Sequence, residues 1–241
     1  MVFEKRVSGI EPLTLLDYSG RLSAILFYYG CNFICPYCYN CDIVENKRET
    51  LDAQELIDFA KSRRGKLDAF VFSGGECTLH GDRLMEDMEF IRSLGYEIKL
   101  DSNGSRPSFI QELIKRNLID YVAMDFKSPS YKFDIIARSS HAYERFLDSF
   151  DILLNSGIPF ELRTTIHPDI TNEDDINHMI QLLEVLRYKG SYYLQFFFKT
   201  ERTLGQVSQN PRPFDLSKLV LPKSFKIELR NDEGNTVGCL A

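Results

Sequence analysis

The chain has 241 residues, 44% of them hydrophobic, and a formal net charge of −6. These values suit an enzyme with a substantial core, and we expect a single domain over residues 1–241, with its core at about 20–200 and a C-terminal extension at 200–241. The acidic balance argues against direct nucleic-acid binding by bulk electrostatics, and no apolar run approaches the ~20 residues of a membrane span.

The first predicted strand, residues 24–29, leads into a group of cysteines. Cys31, Cys35 and Cys38 stand in the run CNFICPYC. Three thiolates on one tight loop can ligate three irons of a 4Fe-4S cube and leave the fourth iron open to another ligand. Because clusters used only for electron transfer normally have four cysteine ligands, the open iron indicates a cluster that takes part in chemistry.

Other interpretations of the cysteines remain open. Cys41 follows Cys38 by three residues, and zinc accepts all-cysteine ligand sets at short spacings. We favour zinc less, because structural zinc sites usually pair two cysteine knuckles far apart in sequence. A non-catalytic iron–sulfur or zinc module that binds a partner is a further alternative. A disulfide framework is not expected, since the first residues lack the apolar core of a secretion signal, which favours a reducing cytoplasm.

Further elements alternate along the chain. Short apolar runs predict strands at residues 69–72, 97–100, 121–124, 160–166 and 192–198, and one-sided apolar spacing predicts helices around residues 56–60, 84–94, 109–114, 146–154 and 176–186. Six strands with helices between them predict an α/β fold with a parallel sheet. Because six strands are too few for a closed eight-stranded barrel, we expect a partial (β/α)6 parallel barrel. Residues 225–229 could add a last strand, and the polar, proline-containing segment 200–222 predicts an irregular connection or a lid.

Polar residues follow or lie within these strands. They are Ser73, Gly74, Gly75 and Glu76 after the second strand, Asp101 and Asn103 after the third, Asp125 and Lys127 after the fourth, Arg163 in the fifth and Gln195 in the sixth. Each has a simpler explanation, such as a tight glycine turn or a surface ion pair. Because parallel barrels place their sites at the carboxyl ends of the strands, their joint placement predicts one shared site.

The cysteine spacing, with an aromatic residue directly before the third cysteine, resembles the signature of the radical S-adenosylmethionine (SAM) superfamily. In that family SAM chelates the open iron, and one electron from the cluster cleaves it to a 5'-deoxyadenosyl radical. A closer resemblance, from about residue 9 to residue 198, is to the activating proteins of anaerobic ribonucleotide reductase. These proteins are relatives of the pyruvate formate-lyase activating enzyme. Its segments are GIEP at 9–12, LDY at 16–18, SGGE at 73–76, KLDSNG at 99–104, YVAMDFK at 121–127, ELRTT at 161–165 and YLQF at 193–196.

The resemblance implies a radical SAM type of barrel, two cofactors and a role for each site residue. The cofactors are a 4Fe-4S cluster, ligated by Cys31, Cys35 and Cys38, and SAM. For SAM, the resemblance implies that Tyr37 packs on the adenine and that Gly74, Gly75 and Glu76 bind the amino group. Asp101 and Asn103 would lie near the ribose and methionine portions, and Asp125 and Lys127 would contact the methionine end. Arg163 and Gln195 would complete the pocket.

The implied activity is the formation of a glycyl radical on a partner enzyme, with anaerobic ribonucleotide reductase as the favoured partner. A flavodoxin- or ferredoxin-like protein would donate the electron, with no direct nucleic acid and no membrane involved. The alternative within the same superfamily is an enzyme that modifies a small molecule or a peptide.

Three positions depart from the family pattern. Tyr39 replaces the usual His after the third cysteine, Cys41 replaces a Pro two residues later, and Cys77 replaces the Pro after the Gly-Gly-Glu motif. We expect Cys41 and Cys77 to be small apolar replacements, because free cysteine behaves as a small hydrophobe. The competing hypothesis is that one of them reacts with substrate or ligates metal.

Overall fold

The structure, a computed structural model, describes residues 1–230 and the strand pairing of residues 238–240. Residues 231–237 and 241, part of the expected C-terminal extension, lie outside the described residues. Among the helices that are described, none has the length and apolar character needed to cross a bilayer.

The described strands form one sheet in which spatial order follows chain order. They are β1 (Val7–Thr14), β2 (Ser23–Tyr28), β3 (Ala69–Gly74), β4 (Glu97–Ser102), β5 (Tyr121–Asp125), β6 (Phe160–Ile166), β7 (Ser191–Phe196), β8 (Lys226–Arg230) and β9 (Gly238–Leu240). Strands β2 to β8 are parallel, while β1 and β9 pair antiparallel at the two edges. The protein is therefore an α/β partial parallel barrel.

Helices cover one face of the sheet, as right-handed crossovers require. They are α1 (Cys41–Val44), α2 (Ala53–Ser62), α3 (Asp82–Ser93), α4 (Pro107–Lys115), α5 (Ser130–Ala137), α6 (Ala142–Ser156) and α7 (Glu173–Val185), with short 3-10 turns at Cys77–His80 and Leu216–Lys218. The five predicted helical segments correspond to α2, α3, α4, α6 and α7. Helix α7 begins with a capping box between Asn172 and Asp175, which satisfies backbone N–H groups at its start.

The two faces of the sheet differ in chemistry because successive side chains of a strand point to opposite sides. On β4, Ile98 and Leu100 are buried in the main apolar core, whereas Lys99 and Asp101 alternate with them and make charged contacts. On β6, Leu162 belongs to that core and Arg163 reaches toward the carboxylates of β4 and β5. The side of the sheet away from the helices therefore carries charged groups on β4 to β6, beside a small apolar cluster that includes Ile25 and Val71, and can hold a charged ligand.

The structure adds elements to the predicted six strands. Strand β1 was not predicted because its sequence contains a glycine and a proline, residues that are unfavourable within strands. The suggested strand at residues 225–229 is β8, parallel to β7, so the parallel set is larger by one strand. Strand β7 ends at Phe196, two residues earlier than predicted, which leaves Phe197 and Phe198 in the following segment.

Candidate active site

The cysteine loop follows β2, at the carboxyl edge of the parallel strands. Cys35 is buried, whereas Cys31 and Cys38 are half-buried. The loop turns back on itself through a hydrogen bond from the Cys38 N–H to the Cys35 carbonyl at 3.0 Å, and the Phe33 N–H donates to the Cys31 Sγ at 3.3 Å. All three cysteines line one cavity, so three thiols from a single loop face the same space.

Burial raises the pKa values of these thiols. It raises the pKa of Cys31 to about 12 and that of Cys35 to about 11. Both side chains are thus neutral thiols at neutral pH in the protein without metal, and metal binding must release their protons. Neutral thiols on an otherwise hydrophobic loop are compatible with a cluster whose positive irons replace those protons.

The two additional cysteines of this region are arranged differently. The Cys41 thiol donates to the Cys38 carbonyl at 3.5 Å, and Cys41 is not among the residues that line the cavity. Cys77 is fully buried, with its thiol toward the carbonyls of Phe72 and Asp101. In the part of the chain that the structure describes, no three His, Cys, Asp or Glu side chains are grouped to hold a single metal ion. Neither Cys41 nor Cys77 therefore supplies a fourth thiol at the cavity, as a four-thiol zinc site there would need.

Gly74 and Gly75 join the loop after β3 to the cysteine loop. A Cβ on Gly74 would lie 2.2 Å from the Tyr28 carbonyl oxygen, and one on Gly75 would lie 2.0 Å from that of Gly30. The Gly75 N–H also donates to the Tyr28 carbonyl at 2.9 Å. Only glycines allow this approach, which places the backbone of both residues on the cavity wall beside Cys31.

Glu76 has a different position from its two glycine neighbours. Its carboxylate is buried and accepts hydrogen bonds from the Ser102 hydroxyl at 3.0 Å and from the Asn103 N–H at 2.6 Å, as well as from Thr78. It does not line the cavity. In this arrangement Glu76 connects the loop after β3 to the loop after β4, and the glycine backbone faces the cavity in its place.

Asn103 connects this second loop to the cysteines. Its side-chain amide nitrogen donates to the side-chain oxygen Oδ1 of Asn32 at 3.0 Å and lies 3.9 Å from the Cys31 sulfur. The side-chain oxygen Oδ1 of Asn103 accepts from the Ser105 N–H at 2.9 Å. The loop after β4 and the cysteine loop are therefore fixed relative to each other by side-chain amides.

A chain of alternating charges crosses the cavity. The Arg163 guanidinium donates to Asp101 and to Asp125, at 3.1 Å in each case, and the Lys127 ammonium donates to Asp125 at 2.8 Å. Burial alone would lower the pKa of Lys127, but Asp125 raises it well above its usual value. Burial would likewise raise the pKa of Asp125, but Lys127 and Arg163 hold it below the usual range. Asp125 and Lys127 are therefore both ionised at neutral pH.

Two buried polar atoms in the cavity region have no hydrogen-bond partner. They are Asp101 Oδ1 and the Tyr37 hydroxyl oxygen, and both residues line the cavity. Because buried polar atoms are nearly always hydrogen-bonded, these two fit a site that receives a polar ligand. Together with the three thiols, they make the cavity suitable for an iron–sulfur cluster and a charged organic cofactor beside it.

The cavity brings together most of the predicted site residues. Its volume is about 320 Å³, and its lining includes Cys31, Cys35, Tyr37, Cys38, Gly74, Gly75, Asp101, Asn103, Asp125, Lys127, Arg163 and Gln195. Glu76 alone of the predicted set lies outside it.

Sequence analysis placed Ser73 in the shared site but assigned no role to several other lining residues, among them Asp17, Thr165 and the aromatic segment 196–198. Asp17 and Thr165 stand in segments that carried the family resemblance, so their membership of those segments was the available signal.

The sequence profile described as the Radical SAM superfamily matches residues 25–183. A Methanocaldococcus jannaschii protein, named as a candidate glycyl-radical enzyme activating enzyme, is 35% identical over 185 residues, which cover 74% of this chain and 75% of that protein. The pyruvate formate-lyase-activating enzyme of Clostridium pasteurianum is 26% identical, with 76% of this chain and 77% of that protein covered.

Solved structures share the fold. Methylornithine synthase matches with a TM-score of 0.58 at 14% identity over 75% of this chain, and native anSMEcpe with bound AdoMet matches with a TM-score of 0.57 at 17% identity over 73%. The chain spans about half the length of these solved chains, 55% and 53% respectively.

Proposed function

The chain belongs to the radical SAM superfamily and is an enzyme of the glycyl-radical activating type, and on that premise we propose that it generates a glycyl radical on anaerobic ribonucleotide reductase. Its cofactors are a 4Fe-4S cluster and SAM. We propose one radical SAM domain that acts in a reducing cytoplasm and receives its electron from a flavodoxin- or ferredoxin-like donor.

One observation carries the proposal: three thiols, a glycine backbone and a chain of paired charges border a single cavity at the carboxyl ends of the parallel strands. In this proposal Cys31, Cys35 and Cys38 hold the cluster. When bound, the cluster and SAM would supply radical chemistry: one electron would cleave SAM to methionine and a 5'-deoxyadenosyl radical, which would take a hydrogen atom from a glycine Cα.

The side chains of the cavity bind and orient the second cofactor. The backbone of Gly74 and Gly75 receives the amino group of SAM, and Lys127, as a positive charge, receives its carboxylate. Tyr37 lies beside the thiols with an unpartnered hydroxyl, which suits contact with the adenine end. Asp101 Oδ1 accepts no hydrogen bond and lies 3.6 Å from the Lys99 ammonium, so it can accept hydrogen bonds from the hydroxyl groups of the ribose.

Aromatic side chains exclude water from the reacting atoms. Phe27, Phe33 and the segment 196–198 contribute to the cavity wall, and Tyr39 packs on Phe198 with ring centroids 4.9 Å apart. An enclosed apolar wall protects a reactive species from water and stray hydrogen donors. In this proposal the partner's glycine loop enters the cavity, and the substrate is a peptide segment supplied from outside.

The choice of partner depends on the resemblance of several segments to activating proteins of anaerobic ribonucleotide reductase. One of them contains Asp17, which the structure brings to the cavity wall, so part of that signature lies beside the reaction site. The activating enzymes of pyruvate formate-lyase among the relatives make that enzyme the second candidate partner.

Electron paramagnetic resonance tests the proposal. The reconstituted protein is reduced without oxygen and mixed with SAM and anaerobic ribonucleotide reductase, and pyruvate formate-lyase is assayed in parallel. We expect a glycine-centred doublet with the reductase, and no doublet with Cys35→Ser. A doublet with pyruvate formate-lyase alone would identify that enzyme as the partner in place of the reductase. Accumulation of 5'-deoxyadenosine without any doublet would refute both partners and favour a small molecule or peptide substrate.

A further inference from the structure

The segment that follows β7 returns to the cysteine loop and lies across it. We call residues 199–209 the strap. The strap is outside residues 25–183, which match the superfamily profile, and it contains no described helix or strand. Its course is nevertheless defined by contacts at both ends and in the middle.

In its middle, the strap donates two backbone hydrogen bonds to the cysteine loop. The Gly205 N–H donates to the Pro36 carbonyl at 2.8 Å, and the Leu204 N–H donates to the Cys38 carbonyl at 3.0 Å. These two carbonyls lie within the turn that carries Cys35 and Cys38. The strap therefore binds the part of the loop that presents two of the three thiols.

Gly205 allows this contact because it has no side chain. A Cβ at this position would lie 2.6 Å from the Pro36 Cβ and 2.8 Å from the Pro36 Cα. Real Cβ atoms do not approach other atoms so closely, and a proline ring on a hydrogen-bonded turn has little freedom to move away. Any larger residue at 205 would therefore push the strap off the cysteine turn.

Side chains attach the strap on either side of this contact. The Arg202 guanidinium pairs with Asp42 at 3.2 Å and also with Glu45, both at helix α1 just after the cysteine loop. Farther along, the Ser208 carbonyl is hydrogen-bonded to the His167 ring at 2.9 Å. The strap is thus fixed to the cysteine-loop side and to the segment after β6.

Other parts of the cysteine loop are held by the barrel itself. The Ile34 N–H donates to the Ala137 carbonyl at 3.0 Å, and the Gly30 carbonyl accepts from the Glu76 N–H at 2.8 Å. In the part of the chain that the structure describes, the backbone hydrogen bonds between residues 35–38 and distant segments all come from the strap. Without the strap, this turn would keep only its local hydrogen bonds.

We propose that the strap holds the Cys35–Cys38 turn in its cluster-binding conformation and that Gly205 is a positioning residue for the cluster. The inference rests on the proposed cluster ligands, Cys31, Cys35 and Cys38. It assigns the segment after β7 to the retention of the cluster rather than to substrate selection.

The test compares Gly205→Ala with Gly190→Ala. Gly190 is a matched control because a Cβ there would lie 2.3 Å from the Tyr188 hydroxyl oxygen, an equally crowded position near the start of β7, at the opposite end of the parallel strands. Both proteins are reconstituted without oxygen, and the rate of iron transfer to an excess of a ferrous chelator is measured by absorbance. The melting temperatures of the metal-free proteins are recorded alongside.

We expect iron release from Gly205→Ala to be about tenfold faster than from the wild type, the effect of losing one or two backbone hydrogen bonds. Gly190→Ala should lower the melting temperature of the metal-free protein yet release iron at the wild-type rate. A wild-type release rate from Gly205→Ala would overturn the inference, as would equal acceleration in both variants.

Arg202→Gln keeps the test decisive if Gly205→Ala does not fold. This exposed residue carries the ion pairs of the strap to α1, so its replacement should accelerate iron release by about twofold to threefold with little effect on folding. An unchanged release rate would then refute the strap's role. If the wild-type protein itself retains no iron and sulfide, the cluster assignment fails and this inference fails with it, which separates the two results.

Discussion

Asp101, Arg163, Asp125 and Lys127 alternate in charge across the cavity, and this order decides which of them is free to bind a ligand. Arg163 is shared between two carboxylates, so its removal would leave both without their common cation. Lys127 pairs only with Asp125 among the described carboxylates, and Asp125 keeps Arg163 if Lys127 turns to a ligand. Lys127 is therefore the cation that can exchange partners at little cost.

Replacing Lys127 with Met should weaken SAM binding by about 10-fold to 100-fold, because a hydrogen bond to a charged group contributes about 1.5–3 kcal/mol. Iron content should not change, since Asp125 remains paired with Arg163. Equilibrium dialysis of labelled SAM against the reconstituted protein measures the effect. Lys127→Arg, which keeps the charge, should recover part of the affinity; equal loss in both variants would contradict a charge-based role.

Cys77 occupies a fully buried position with its thiol directed at two backbone carbonyls, away from the cavity. Cys77→Ala should therefore retain about four irons per chain and SAM cleavage, with a loss of stability of about 1 kcal/mol from the missing sulfur. Cys41→Ala should behave similarly. Iron analysis and the yield of 5'-deoxyadenosine check both. A folded variant that no longer cleaves SAM would establish a chemical role for that thiol.

A buried ion pair joins the start of β1 to the helix layer. Arg6, directly before β1, donates to Asp87 of α3 at 2.7 Å, and the Tyr28 hydroxyl and the Phe3 N–H donate to the same carboxylate. Both charged side chains are almost completely buried, at 2% and 0% exposure. This network attaches the antiparallel edge strand to the helix layer despite the poor strand propensity of its sequence.

Asp87→Ala should lower the free energy of unfolding by about 3–5 kcal/mol, because it leaves the Arg6 charge buried without a partner. Glu86→Ala is the matched control. Glu86 pairs with the N-terminal amino group at the exposed surface, so its loss should change stability by less than about 1 kcal/mol. Urea denaturation followed by circular dichroism measures both. Similar values for the two variants would show that the buried pair contributes nothing specific.

The first residue of α7 links that helix to the segment before β8. Glu173 accepts from Arg212 at 2.8 Å and from the Asp215 N–H at 2.8 Å, and the Arg212 hydrogen bond is the main reason why the pKa of Glu173 falls to about 2. Since the folded pKa lies below the usual unfolded value of about 4.3, the stabilisation is fully present above about pH 5 and disappears as the pH falls toward 2.

Arg212→Gln should therefore reduce stability at pH 7 by about 1 kcal/mol, a value kept low because Arg212 is half-exposed to solvent. The difference from the wild type should shrink as the pH is lowered from 5 to 2. Urea denaturation at pH 7, 4 and 2.5 follows this change. A difference that stays constant with pH would mean that Arg212 acts through packing and not through the Glu173 carboxylate.

Across the whole molecule, the sheet separates an apolar helix-facing core from an interior that contains buried ion pairs and a small apolar cluster. The fully buried Lys99 lies in that interior, where it contacts Glu161 at 3.4 Å and donates to the Asp17 carbonyl. Arg230 of β8 contacts the same Glu161 carboxylate at 3.4 Å. These contacts hold the β1–β2 connection against the barrel and connect the two ends of the parallel sheet.

Removal of the cluster should leave this architecture folded, because the sheet, the core and the interior ion pairs are contacts within the protein. Chelation is expected to preserve the far-ultraviolet circular dichroism spectrum and to lower the melting temperature by about 2–4 °C for each kcal/mol of lost binding energy. Calorimetry of the two forms provides the comparison. Loss of secondary structure on chelation would instead show that the barrel requires the cluster to fold.

Short motifs were readable from the sequence because their chemistry is local. The spacing of Cys31, Cys35 and Cys38 places three thiols on one loop whatever lies around them, and the apolar runs of β2 to β7 reflect burial along single strands. The order of polar residues after those strands predicted a shared cavity, and the structure brings all but Glu76 of the predicted set to it.

Tertiary structure alone decided how these groups face one another. The pairing of Arg163 with Asp101 joins residues 62 positions apart, and the burial of Glu76 depends on hydrogen bonds from the loop after β4. Strand β1 and the strap depend on distant partners in the same way. The sequence by itself thus determined the chemistry available and the type of fold, whereas the direction of each side chain was decided by packing between segments far apart in the chain, because the free energy of such contacts exists only once the barrel has closed around them.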